Sequence, residues 1–487
     1  MKPEQYTSKH SGREIEYKWK ARDDRDYSRF LEACRRLKAK ISKSRTVSIH
    51  DIYLDTPDKF FGNSRTKCRM RMAGGKSEIT FKSFAESEAG LVNRCEKSVP
   101  IPRFKSKKSA LKYCVNKYLK HVLGTSKIAP VFRLDNQRTF NKILLPGNMA
   151  AESCFDDVKI SRGAKKVEMK EIELELLKGD IRGLKKFASK ITAAARLKPA
   201  KTSKFSTAMT LLFSERKIPA AVKPGSSKYR FTRHDSIRFA LRNILRTNLD
   251  RLKENEPGVR INMDPEALHD MRVASRRLRA ALRLFKKILP EPCQKTALEL
   301  RFLGRALGKK RDLDVLAREV PAFLPQAVIA HKNILKILNS GRYKNLLTAL
   351  EHLTNESVSS EKNAKKSAKK FLRKFLKRAI FHARTISKES SDPELHPLRI
   401  AVKKLRYSLE FFEPVLPQKT SRLISHCREI QDILGGHQDA IYAIETLSAS
   451  KIKGSRTLTQ KFIRRKEEFR NRFFRKRKDF LLRLLRF

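Results

Sequence analysis

The sequence predicts an α+β protein: an N-terminal antiparallel β tunnel or barrel with flanking helices over residues 1–215, a linker at 216–230, and a C-terminal all-α helical bundle with internal duplication over 231–487. Three observations predict it. Glu14-Ile15-Glu16-Tyr17-Lys18 and, far downstream, Glu171-Ile172-Glu173-Leu174-Glu175-Leu176 alternate charged with apolar residues, which is the period of a strand. Between Ser214 and Tyr229 the chain reads SERKIPAAVKPGSSKY, a run of breakers that marks a boundary. From Phe231 onward the apolar residues recur with helical period.

In the first strand Glu14, Glu16 and Lys18 share one face, and Ile15, Tyr17 and Trp19 take the other, so Trp19 is expected to pack outside any tunnel. Alternating segments follow at 48–54, 67–71, 78–82, 93–99, 131–133, 138–145, 152–160 and 167–176. Their near-regular spacing predicts a closed or strongly curved antiparallel sheet. Arg69 and Arg71 share a face, as do Arg94 and Glu96, and as do Glu171, Glu173 and Glu175. A barrel lined by such groups must be wet inside, with cations and anions paired through a ligand. Carboxylate-only donors favour Mg²⁺ or Mn²⁺ over zinc.

In the helical half, His269-x-x-Arg272-x-x-x-Arg276-Arg277-Leu278-Arg279 recurs as His396-x-x-Arg399-x-x-x-Lys403-Lys404-Leu405-Arg406, displaced by 127 residues throughout. Leu307-Gly308 with Asp312, and Leu434-Gly435 with Asp439, repeat at the same offset. Two similar halves are expected, about 231–354 and 371–487, divided by the polar stretch 355–370. Each signature helix follows an Asp-Pro-Glu start, at Asp264-Pro265-Glu266 and Asp392-Pro393-Glu394. At 100° per residue His269, Arg272, Arg276, Arg279 and Arg283 fall on one face, a cationic stripe that a solvated helix would normally interrupt with Glu. Two such stripes facing each other would make a groove for repeated phosphates. Glu410 stands where the first half has Arg283, which predicts an asymmetric groove. The stretch 365–378 reads as a flexible or polyanion-contacting arm, and 461–487 as a final bundle helix.

Of the 487 residues 111 are Lys or Arg and 51 Asp or Glu, a net charge of +60. The surplus is +27 over 1–226 (51 basic, 24 acidic) and +33 over 227–487 (60 basic, 27 acidic), so it is not a detachable tail. A polyanionic partner is expected. Nucleic acid binding, nonspecific in kind, is one reading, although the aromatic pattern is poor for it. Seven scattered cysteines without a Cys-x-x-Cys pair read as reduced thiols. With neither a signal-peptide core nor a membrane-span window, the protein is expected to be cytoplasmic.

The repeated His-x-x-Arg signature resembles the CHAD family, the conserved-histidine α-helical domain, over roughly residues 231–487. The resemblance implies an internally duplicated helical fold that binds inorganic polyphosphate through His269, Arg272, Arg276, Arg279, His396, Arg399, Lys403 and Arg406. The N-terminal half resembles the CYTH family of triphosphate tunnel metalloenzymes over roughly residues 12–210. The matching residues are Glu14, Glu16 and Lys18, Tyr53-Leu-Asp55-Thr56, Arg69 and Arg71, Thr80-Phe-Lys82, Arg94-Cys-Glu96, Arg138, Phe155-Asp156, Glu171 and Glu173, and Lys201-Thr-Ser203-Lys204.

This second resemblance implies a phosphohydrolase that cleaves inorganic tripolyphosphate to pyrophosphate and phosphate with Mg²⁺ or Mn²⁺. Glu14, Glu16, Glu171 and Glu173 would hold the metal, and Asp156 would hold metal or orient water. Lys18, Arg69, Arg71, Lys82, Arg94, Arg138 and Lys201 would contact the substrate. Adenylate cyclases and thiamine triphosphatases share this lining, and a non-catalytic polyphosphate-binding or granule-associated protein is the other alternative; fusion to CHAD favours the inorganic substrate.

Overall fold

A computed structural model of the chain describes residues 11–83, 86–88, 90–102, 104, 106–123, 126–200, 202–213, 229–289, 293–355, 363–418, 420–449 and 455–487. The chain divides into two compact units, Met1–Ala221 with Glu254–Leu268, and Val222–Lys253 with His269–Phe487.

The first unit holds the strands β1 (Ser11–Ala21), β2 (Lys40–Ile41), β3 (Arg45–Asp55), β4 (Thr66–Ala73), β5 (Lys76–Ser83), β6 (Glu86–Glu88), β7 (Leu91–Ile101), β8 (Ala129–Leu145), β9 (Met149–Arg162), β10 (Lys165–Lys178) and β11 (Lys198–Pro199). They pair antiparallel in the order β11-β1-β10-β9-β8-β3-β4-β5-β7-β6, and pairing of β1 with β7 closes eight of them into a barrel. The segments expected at 131–133 and 138–145 are one strand. Leu134 to Gln137, poor in strand formers, keep their pairing to both β3 and β9, so two-sided pairing overrides local propensity.

The apolar parity of β1 and β10 faces outward and is covered by helices. Tyr17, Trp19, Phe155, Ile172 and Leu174 form one core with Phe30 of the helix Asp24–Arg36 and Leu184, Phe187 and Ile191 of the helix Ile181–Ala194. Trp19 is fully buried there, and its indole Nε1 donates to Thr192 Oγ1 at 2.8 Å. Tyr53, Phe132, Leu134, Val158 and Ile160 have the opposite parity, that of Asp51, Arg138 and Asp156, and form a second core inside the barrel with Met209 and Leu212 of the helix Lys204–Phe213. The inside of the barrel therefore holds charges beside this one apolar cluster, unlike a small barrel filled throughout by apolar side chains.

The second unit is built from long helices, among them Cys293–Glu319, Ala364–Thr385, Asp392–Phe412, Thr420–Ser448 and Ser455–Leu485, together with the part of Pro265–Leu284 from His269 onward. Asp392–Phe412 starts with a capping box between Ser391 and Glu394 and with Pro393 in its first turn. Asp392 also accepts from His437 Nε2 (3.0 Å), Lys466 Nζ (2.8 Å) and Arg470 Nη1 (3.1 Å), which pins this helix start to the last two helices. The terminal helix buries Phe462, Phe473, Phe480 and Leu484. The expected arm at 365–378 is part of a helix; its other face supplies Leu372 and Ala379 to the core. The expected linker falls mostly outside the described residues.

Candidate active site and anion groove

Residues directly opposed in an antiparallel pair point to the same face, so the register carries the charged parity of each strand into one lumen. β1 against β10 sets Lys18 opposite Glu173 and Glu16 opposite Glu175. β10 against β9 sets Glu171 opposite Asp156, and β9 against β8 sets Asp156 opposite Arg138. Asp51 opposes Arg71, Lys82 opposes Glu96, and closure sets Glu14 opposite Arg94. Gly90, at φ +96°, accepts a hydrogen bond from the Lys18 backbone N–H at 3.0 Å. A Cβ at that position would meet the Tyr17 ring at 2.9 Å and the Lys18 carbonyl at 3.0 Å, so only glycine lets the chain pass.

The lining is a continuous ion-pair network. Lys18 Nζ lies 2.5 Å from Glu173 and 3.1 Å from Glu16. Lys82 Nζ lies 2.9 Å from both Glu14 and Glu96, and Arg94 donates to Glu14 and, at 2.8 Å, to Glu16. Arg138 is bidentate on Asp156 at 2.7 and 2.6 Å and reaches Glu173 at 2.7 Å. Lys204 Nζ stands 2.8 Å from Asp156, 2.7 Å from Glu171 and 2.8 Å from Glu173. Asp51 accepts from Arg69 at 2.9 Å and from Arg71 at 2.8 and 2.9 Å.

These contacts decide the protonation states. Burial opposes charge on Glu173, yet Lys18, Lys204 and Arg138 hold its carboxyl well below the usual range. Asp156 is lowered against the same burial cost by Lys204 and Arg138. Asp51 is held at about 2 because Arg69 and Arg71 outweigh its desolvation. Glu16 goes the other way, raised by burial and by Glu14 and Glu173 despite Lys18 and Arg94. Glu175 is pushed up to about 7 by burial and then by Glu14 and Glu16.

Glu14 is held well below the usual range, against its burial, by Lys82 and Arg94, so the carboxylate left in excess at this end of the lumen is that of Glu16 and Glu175. In donor chemistry, all carboxylate oxygen, this set fits a hard divalent cation. Among the described residues no three His, Cys, Asp or Glu side chains converge at metal-ligand distance; Lys and Arg side chains occupy the carboxylates instead.

The structure brings Glu14, Glu16, Lys18, Arg69, Arg71, Lys82, Arg94, Arg138, Asp156, Glu171 and Glu173 into this one lumen. Lys201 lies outside the described residues. Two members were missed by the sequence reading, Asp51 and Lys204. Asp51 is the inward-parity acid of its strand, but a lone acid carries no signal until its register with Arg71 is known. Lys204 belongs to the same Lys201-Thr-Ser203-Lys204 segment as Lys201, and nothing in the sequence separates the two lysines.

In the helical unit the two signature helices present their cations to each other. Lys403 is pushed down to about 7 by burial and then by Arg276, Arg399, Arg279 and Arg272. The Gly and Asp echoes belong to the same cluster. A Cβ on Gly308 would lie 3.6 Å from Arg272 Nε, and one on Gly435 4.0 Å from Arg399 Nη2, so each arginine lies over its own repeat's glycine. Asp312 and Asp439, both raised chiefly by burial, face Arg272, Arg311 and Arg399. His396 is exposed and His269 half-buried. Arg406 turns inward, donating to Gln431 at 2.9 Å and to Glu410 at 3.2 Å. Glu410 is buried and also accepts from Arg277, so the carboxylate at the position of Arg283 serves an internal ion-pair cluster.

A closed antiparallel barrel with a charged lumen, followed by a duplicated helical unit with facing cationic helices, defines a tunnel-domain fusion. The family model for the CYTH domain matches residues 12–208, and that for the CHAD domain matches 243–448. The chain joins a CYTH domain to a CHAD domain. The inorganic triphosphatase of Haemophilus influenzae is 26% identical over 144 residues, which is 30% of this chain and 40% of that relative; the match spans less than half of the relative's length. A crystal structure of the CHAD domain from the plant Ricinus communis is 25% identical, covering 53% of this chain and 92% of that one, with a TM-score of 0.41. The capping enzyme triphosphatase of Mimivirus is 15% identical, covering 38% of this chain and 90% of that one, with a TM-score of 0.24. Among the described residues no helix is long and apolar enough to cross a membrane.

Proposed function

We propose that the barrel hydrolyses the terminal phosphoanhydride of inorganic tripolyphosphate and that the helical unit binds linear polyphosphate, with domain limits at 1–215 and 231–487. The observation that carries the reading is the lumen itself, where cations and carboxylates alternate around a closed wall and can be separated by a ligand of many negative charges that brings a metal.

Lys18, Arg69, Arg71, Lys82, Arg94 and Arg138 would exchange their carboxylate partners for phosphate oxygens and hold the chain in line. Water attacks the terminal phosphorus, the bridging P–O bond breaks, and pyrophosphate leaves with the electron pair while the water's proton passes to solvent or to a lumen carboxylate. Asp51 holds Arg69 and Arg71 in place, and Lys204 keeps Asp156 and Glu173 ionised and pairs with Glu171. Mg²⁺ or Mn²⁺, bound by Glu14, Glu16, Glu171 and Glu173, would supply charge neutralisation and an activated water.

The test is phosphate release from tripolyphosphate, ATP and thiamine triphosphate with Mg²⁺ or Mn²⁺. Release is expected to favour tripolyphosphate and to fall by about 10³-fold or more in Glu171→Gln. No release from the folded, metal-supplemented protein would leave the barrel as a binding site only.

In the groove Lys403 is cationic below about pH 7 and increasingly neutral above it. A bound phosphate chain favours the charged form, so binding takes up a proton. Affinity for long-chain polyphosphate is expected to rise several-fold from about pH 8 to about pH 6, and Lys403→Arg should flatten that rise. An equally steep profile in Lys403→Arg would assign it to another group. Association with polyphosphate granules would follow from such a groove.

A further inference from the structure

The helix Ala364–Thr385 has Lys or Arg at nine of its 22 positions and no Asp or Glu. Lys366, Lys370, Arg373 and Lys377 follow one helical face, with Lys369, Lys374 and Arg378 beside them, and all seven are exposed. Like charges at i, i+4, as in Lys366/Lys370, Lys370/Lys374 and Lys374/Arg378, repel one another, and exposed helix faces ordinarily place acids among them. This face is therefore destabilised unless an external anion meets it.

Its position is set by aromatic packing. The Phe371 ring lies 5.7 Å from that of Phe285 and 6.1 Å from that of Phe412, which places the helix against the C-terminal ends of both groove helices. Lys404 is accordingly lowered by burial and then by Arg378, Arg283 and Lys374. Arg283 in turn adjoins Arg279 of the groove. The line of cations runs from Arg272 and Arg399, through Arg279, Arg283 and Lys404, onto Lys374 and Arg378.

We propose that the exposed face of Ala364–Thr385 is a second anion-binding track, continuous with the groove, whose occupant is the overhanging part of a long linear phosphate chain. The inference rests on the groove reading above. A phosphate chain suits the face better than nucleic acid does, because Phe381 is its single exposed aromatic residue and offers little for stacking bases.

The test uses the full chain and three probes: long-chain polyphosphate, tetrapolyphosphate and duplex DNA at matched charge. Lys370→Ala/Lys374→Ala/Arg378→Ala, all at exposed positions, is expected to weaken long-chain binding about tenfold and to flatten its salt dependence by about two to three in log–log slope. Tetrapolyphosphate binding should be unchanged. The reference is the groove variant Arg272→Ala/Arg399→Ala. Unchanged long-chain affinity in the track variant, beside a loss in the groove variant, would overturn the track and leave the groove standing. A loss in the track variant beside full affinity in the groove variant would sink the groove reading and the continuity with it. Duplex DNA bound as tightly as polyphosphate, and lost equally in the track variant, would make the face a nucleic-acid surface and overturn the assignment.

Discussion

Asp51→Ala is expected to destabilise the barrel by about 3–5 kcal/mol, the cost of leaving buried cations without their partner. Asp51 is 2% exposed and is the shared acceptor of Arg69 and Arg71. Denaturant unfolding followed by Trp19 fluorescence isolates this effect, because Trp19 is the chain's sole tryptophan and lies in the core between the barrel and its covering helices.

The pH dependence supplies a second signature. The native carboxyl titrates at about 2, below its ordinary value of 3.8. A depressed acid stabilises the fold above its unfolded pKa, and that stability is lost as pH falls through the native one. On the order of 2 kcal/mol should therefore disappear between about pH 4 and pH 2 in the parent and be missing at all pH in Asp51→Ala. If tripolyphosphate is the substrate, the variant should also show a raised KM, since Arg69 and Arg71 lose the group that aims them. Parent-like stability in Asp51→Ala would mean that water compensates the two guanidiniums and that Asp51 is dispensable.

Lys204→Ala is expected to destabilise the same unit by several kcal/mol and, if the barrel hydrolyses tripolyphosphate as proposed, to reduce turnover at least about a hundredfold. Its ammonium is shared by Asp156, Glu171 and Glu173, whose exposures are 0%, 1% and 6%. Without it, among the described residues, the three buried carboxylates retain Arg138 and Lys18 as paired cations. The expected result is an unfolding midpoint that drops as pH rises to neutrality and recovers on adding Mg²⁺ or Mn²⁺, more in the variant than in the parent. That recovery reads the metal assignment without using activity. A midpoint in Lys204→Ala that ignores divalent cations would remove Glu171 and Glu173 from the metal site.

Legibility in the sequence followed locality. Alternation is a property of neighbouring residues, so Glu14, Glu16 and Lys18, and likewise Glu171, Glu173 and Glu175, could be placed on common faces before any partner strand was known. The 127-residue displacement made the helical duplication visible for the same reason, since each signature is carried within one helix. The single strand from Ala129 to Leu145 looks like two in the sequence because its middle, Leu134 to Gln137, has low strand propensity and is held by neighbours on both sides.

The sequence by itself determined the two-part α+β architecture, the outward face of Trp19, the paired cationic helices and the chemical character of the lumen. Tertiary structure alone decided that β1 closes on β7, that Asp51 anchors Arg69 and Arg71, that Lys204 bridges three carboxylates, and that Arg406 turns to Glu410. The physical reason is that burying a charge is strongly unfavourable unless a partner meets it. Which partner meets it depends on register and helix docking between residues far apart in the chain, and no local period encodes that choice.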